Sequence, residues 1–188
     1  MLMAEESRPQ DDVCGRSDVG FALIDLLFVC GIIGVLSAIA VPRLLSARTS
    51  ATAASAISTM RTLGTAQLAF ALSCGNGYYA PDLPSLAKPP IGSSYGFVAS
   101  DMGTGPTVEK GGYTIQMTGT SMAGAPDSCN LLGPNNGAQA FRAGADPVDS
   151  TNPRFFGTNA LGTIYEDTAS LFATMPENAE PPSGHPVH

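Results

Sequence analysis

Residues 20–45 read GFALIDLLFVCGIIGVLSAIAVPRLL, and this stretch decides the fold. From Phe21 to Val41 its one ionisable carboxyl is Asp25. A helix needs about 20 predominantly apolar residues to cross the hydrocarbon core of a bilayer, so the run predicts a membrane-crossing helix over 21–42. Pro42 removes one backbone donor, which predicts a kink rather than an end. Gly31 and Gly34 are small enough to let a second helix approach closely. The plainer reading is that they tolerate packing without specifying a dimer.

The pattern stays helical beyond the proline. Residues 43–73 read RLLSARTSATAASAISTMRTLGTAQLAFALS, rich in alanine, the best helix former. Apolar side chains recur at Ile57, Met60, Leu63 or Gly64, Gln67 or Leu68, and Phe70 or Ala71. Steps of three and four give one greasy stripe, with Ser, Thr and Arg61 on the other face. Cys74-Gly75-Asn76-Gly77 is a strong stop. Residues 21–74 thus read as one helix, on the order of 80 Å long at 1.5 Å per residue.

Before it, residues 1–20 are polar and charged, lack any helical or strand period, and end at Gly20; they read as a leader without a fold of its own. After it, residues 75–178 read as a small head rich in turns. The chain has 188 residues with 21 Gly and 15 Pro, which suits one globular domain of short strands plus an appendage. Tyr78 to Leu86 looks like a turn and a short helical piece, and Lys88-Pro89-Pro90 is a break. Residues 112–118, GYTIQMT, alternate with period two, and 138–143 form a second candidate strand. Residues 154–166 read as a hairpin around Asn159-Ala160-Leu161-Gly162. Three or four strands are expected to bury the stripe of the long helix. The polar, proline-rich end, residues 179–188, is expected to be a disordered tail.

Composition excludes several functions. The formal net charge is −7, and the seven Lys and Arg after residue 20 are scattered, so direct nucleic-acid binding has no basic track to use. Of the four cysteines, Cys14 precedes the apolar run and Cys30 lies inside it. Cys74 and Cys129 would share an oxidising compartment if the head is exported, so a Cys74–Cys129 disulfide is expected, with two free thiols as the alternative. No Cys/His spacing fits zinc. Asp146, Asp149, Glu166 and Asp167 match no calcium loop, so a solvated face is favoured over a metal site. Both histidines, His185 and His188, sit at the extreme end, away from Ser121 and Ser128. No nucleophile–base pair, cofactor motif or small-molecule site is expected, and the protein reads as no enzyme.

The placement of Asp25 carries the functional reading. A carboxylate in a bilayer costs at least a few kcal/mol and needs a partner. Cutting the chain after Gly20 would create one, the amine of Phe21. In a filament, Asp25 of one subunit could pair with the Phe21 amine of its neighbour and so set the axial step between subunits.

The segment GFALIDLLFVCGIIGVLSAIAVPRLLSAR resembles the N-terminus of type IV prepilins, in which a Gly and a Phe precede TLIELL and an apolar run ending near a Pro. The likeness is specific over residues 20–48, looser over 49–71, and weak at GYTIQM and at 154–167. It implies an α+β fold, with a long N-terminal helix whose first half is transmembrane and whose second half packs on a small antiparallel sheet. It also implies that a membrane prepilin peptidase cuts between Gly20 and Phe21 and methylates the new N-terminus. Asp25 takes the position of the family's glutamate, one methylene shorter. The leader is acidic where the family's is usually basic, with two Arg against five Asp and Glu. Arg43, Arg48 and Arg61 follow the run, so a count of basic residues gives two before it and three after, which opposes the implied orientation.

The resulting expectation is a structural subunit of a type IV pilus-like filament. It sits first in the cytoplasmic membrane with its head outside, then in an extracellular or periplasmic fibre with copies of itself and other pilins. Two alternatives stay open: a pseudopilin of a type II secretion system, and a membrane-anchored extracytoplasmic binding domain that never polymerises. A secretory signal peptide ending at Ala38-Ile39-Ala40 fits less well, because the helical pattern runs on past Pro42.

Overall fold

The computed structural model describes residues 18–187, with side chains from residue 23 onward. Helix α1 spans Asp18–Ser73 without interruption, with Pro42 inside it. It therefore begins three residues inside the segment read as an unfolded leader, and its end at Ser73 matches the stop in the sequence. The rest of that leader, with Cys14, lies outside the described residues, as does His188.

The described residues divide into two units, one ending at Ser46 and one beginning at Ala47. In the first, every described side chain from Leu23 to Ser46 is exposed. An apolar helix with no buried side has no core of its own, which is the expected state of a segment that needs lipid or another helix around it.

The second unit is built on the remainder of α1. Ala53, Ala56, Met60, Leu63, Gln67, Phe70 and Cys74 are buried, in alternating steps of three and four residues. Where the sequence left Gln67 or Leu68 open for one step, polar Gln67 faces inward and Leu68 is exposed. The helix ends where Asn76 and Gly77 take positive φ, and the Gly77 N–H donates to the Ala71 carbonyl at 2.8 Å. This is the left-handed exit that asparagine and glycine permit.

A short helix α2, Leu83–Ala87, follows, capped by the Asp82 carboxylate, which accepts from the Ser85 N–H at 2.8 Å. Then comes one 3₁₀ turn, Ser100–Gly103. The sheet has six antiparallel strands in sequence order: β1 Thr107–Lys110, β2 Tyr113–Thr118, β3 Arg142–Pro147, β4 Phe155–Asn159, β5 Ile164–Asp167 and β6 His185–Pro186. The α+β class is as the sequence indicated, with six strands where three or four were expected.

One sheet face packs on α1. Tyr113, Ile115 and Met117 alternate inward along β2, joined by Ala143 and Ala145 of β3 and by Phe156 of β4. Alanines on both helix and strand keep the two backbones close.

The opposite face is covered by the chain after β5. Gly144 and Gly157 are cross-strand partners, and a Cβ on either would lie 2.7 Å from Phe172 Cβ or 2.8 Å from Met175 Cε. These glycines are gaps into which residues 171–175 seat, burying Leu171 and Met175 completely. The tail expected to be disordered instead ends as a strand: Glu166 pairs with His185, and the Val187 N–H donates to the Ile164 carbonyl at 2.8 Å. Its polar composition concealed this because the pairing uses backbone groups, not side chains.

Candidate functional site

The candidate surface is the exposed apolar stretch of α1. At 1.5 Å per residue the twenty residues from Leu23 to Pro42 span about 30 Å, the thickness of a bilayer's hydrocarbon core. The helix is long and apolar enough to cross a membrane, with a mean hydropathy of 2.5 in its most apolar window and none of that window buried.

Phe21 and Gly20 lie on the first turns of α1, and their side-chain surroundings are outside the described residues. Asp25 is exposed one turn later, between Ile24 and Leu26. Among the described residues the ion pairs are Lys110–Asp101 and Arg154–Glu166, so none of these residues forms an ion pair with Asp25. A carboxylate on this surface is tolerable at a water interface or beside a cation, and unfavourable in lipid by roughly 3 kcal/mol.

A shallow apolar groove of about 420 Å³ runs along the same stretch, lined by Leu27, Phe28, Gly31, Ile32, Val35 and Leu36. Its floor is Gly31, where an added Cβ would meet nothing within 4 Å. Large side chains flanking a glycine form the hole of a knob-and-hole contact. Pro42 lies inside α1 and leaves the Ala38 carbonyl without its usual helical donor. Cys30 is a free, exposed thiol on this stretch.

The head carries the other sequence-derived features. Cys74 and Cys129 form the expected disulfide, with Cα atoms 4.8 Å apart across a sequence separation of 55 residues. It ties the end of α1 to the excursion between β2 and β3, and the Cys129 N–H donates to the Cys74 carbonyl at 3.1 Å beside it.

The four acidic residues weighed as metal ligands are used separately. Glu166 takes a two-pronged contact from Arg154, with Nε–Oε1 at 2.6 Å and Nη2–Oε2 at 2.9 Å. That guanidinium holds the Glu166 carboxyl below the usual carboxylate range, and His185 across the strand pair adds to the effect. Asp146 accepts from Gln116 and Ser170, and Asp149 from Thr151. Asp167 accepts from the Thr168 N–H. No group of three His, Cys, Asp or Glu able to hold a metal occurs among the described residues.

A cleft of about 480 Å³ in the head lies between the Arg61–Leu68 part of α1 and the β4–β5 turn. Arg61 is its one charged lining residue, so it offers no acid–base pair.

The sequence placed Gln67 or Leu68 at one core step without indicating what a polar side chain would do there. Gln67 is completely buried and reads the backbone of Ala80 as a strand would, with Nε2–H donating to its carbonyl at 2.8 Å and Oε1 accepting its N–H at 2.9 Å. Its place at a core step of the stripe was the available signal. No protein-family model, curated protein or solved structure matches this chain.

Proposed function

We propose that the chain is a structural subunit of a type IV pilus-like filament. A prepilin peptidase cuts it after Gly20 and methylates Phe21. Residues 21–42 hold it in the cytoplasmic membrane before assembly, and copies then associate through α1 with their heads outward. The same apolar surface serves in both places, because filament packing exchanges lipid contacts for protein contacts. Asp25 pairs with the Phe21 amine of an adjacent subunit, and one uncompensated charge per subunit penalises every other register.

The observation that carries this reading is the combination at the start of α1. An exposed helix of bilayer length bears one carboxylate, at the fifth residue after the Gly20–Phe21 bond. A plain anchor has no use for that carboxylate. The second unit closes a hydrophobic core of its own, which supports the same reading.

The test is Asp25→Ala in the native host. Removing the charge makes the segment a better membrane anchor, so the protein should accumulate in the membrane while fibres disappear. Undiminished fibres from Asp25→Ala would remove the electrostatic account.

A further inference from the structure

Gly64 sits in the interior of α1, where glycine is among the least favourable residues. No described neighbour requires it there: an added Cβ would meet no atom within 4 Å. It therefore does not serve close packing inside the head, as Gly144 and Gly157 do. What its missing side chain leaves open is the cleft of about 480 Å³ between α1 and the β4–β5 turn. That volume lies within the roughly 300–1,000 Å³ of sites that take small molecules.

The walls of the cleft are apolar. Tyr79 and Phe141, an edge-to-face pair with ring centroids 5.2 Å apart, line it together with Ile164. Leu68 of α1 and Leu161 of the β4–β5 turn line it too, and they are 51% and 56% exposed. Two leucines held in water at one cleft are surface that an apolar ligand would cover.

Three polar side chains of the lining are held by the chain itself. The Thr65 hydroxyl donates to the Arg61 carbonyl at 2.8 Å, and the Thr158 hydroxyl to the Thr163 carbonyl at 3.0 Å. Asn159 donates to the Pro176 and Ala179 carbonyls and accepts from the Leu161 N–H. Arg61 is different: neither ion pair among the described residues includes it, and its guanidinium has no hydrogen-bond partner among them. No carboxylate lines the cleft. Glu177, whose carbonyl accepts from the Ala160 N–H at 3.1 Å, commits its carboxylate to Thr120.

We infer that the cleft is a binding site for a small amphiphile, a single alkyl chain that ends in a carboxylate. The guanidinium of Arg61 presents paired N–H donors that match a carboxylate, and the apolar walls take the chain. One cation with no acid in the lining selects an anionic end over a neutral or a cationic one. A cleft of this volume suits one chain and not the two of a phospholipid, so the occupant is a free alkyl carboxylate. The sequence indicated no small-molecule site because α1 and the β4–β5 turn meet only in the fold. The inference does not rest on the filament reading.

The full-length chain in phospholipid nanodiscs is titrated with octanoate and with octanol by calorimetry. Gly64→Leu is the blocked form. Leucine favours helix over glycine and grows into open space, so the thermal midpoint should stay or rise while the cleft fills. The same variant reports how much of each probe enters the bilayer. Wild type should bind octanoate saturably above that background and about tenfold more tightly than octanol, the effect of one charge-assisted contact. Arg61→Gln should remove the tenfold preference and leave octanol binding unchanged. Equal binding by wild type and Gly64→Leu overturns the inference, as does binding without preference for octanoate or a preference that survives Arg61→Gln. Loss of fibres from Gly64→Leu, with no octanoate bound by wild type, would give the cleft to a second copy and overturn it as well.

Discussion

Replacing Gln67 with Met keeps the length and most of the volume of the side chain while removing both of its hydrogen-bonding groups. Ala80 is completely buried, and its N–H and carbonyl are both satisfied by the Gln67 amide. The substitution therefore strands a donor and an acceptor together. Each stranded buried group costs about 1–3 kcal/mol. Part is returned because a buried amide is exchanged for a thioether, so the expected net loss is about 2–4 kcal/mol. For a domain of this size that lowers the thermal midpoint by roughly 6–12 °C.

The assay is urea unfolding of the full chain in mild detergent. The chain has no Trp, so the signal is the near-ultraviolet circular dichroism of its tyrosines, Tyr113 being completely buried. Met117→Leu is the control. It removes only the sulfur that accepts from Gln67 Nε2 at 3.1 Å and should cost less than about 1 kcal/mol. A Gln67→Met chain as stable as wild type would refute the reasoning, since Ala80 would then have found water or another partner.

Two further outcomes follow from the head. Opening the Cys74–Cys129 bridge, by reductant or by Cys129→Ser, frees a loop with a sequence separation of 55 residues and should cost about 4 kcal/mol by chain entropy, read as a shift in the urea midpoint. The Arg154–Glu166 pair should make stability fall in acid. The Glu166 carboxyl is held below its ordinary value of 4.5, so its contribution is full above that value and disappears as pH falls through the lowered one. The difference in thermal midpoint between wild type and Glu166→Gln should therefore be present at about pH 6 and shrink towards about pH 3, and a constant difference would contradict the assignment.

The parts of the fold legible in the sequence were those written in local periodicity or turn chemistry. The apolar run, the Asn76-Gly77 exit and the hairpin over 154–166 each carry their signal within a few residues. The strand expected over 138–143 lies at Arg142–Pro147, because Gly144, Ala145, Asp146 and Pro147 carry little strand propensity. Their smallness answers a need that exists only in three dimensions: Ala145 admits α1 on one face, and Gly144 admits Phe172 on the other.

The tail read as disordered for a similar reason. Gly184, at φ 88°, lets the backbone approach the Glu166 carbonyl, and no hydrophobic pattern records that approach. Of the two candidates for that step, Gln67 is inside and Leu68 outside because an amide that satisfies a buried backbone outranks a more apolar neighbour there. In the head, the pairing of Cys74 with Cys129 was identifiable from residue type and position.

The most direct measurement is the intact mass and N-terminal sequence of the mature protein isolated from its native host. Cleavage after Gly20 with methylation gives a chain that begins at Phe21 and is heavier by one CH2 unit than its bare sequence. A chain that keeps Met1, or one that begins at Val41, would contradict the account and leave an anchored or secreted domain in its place.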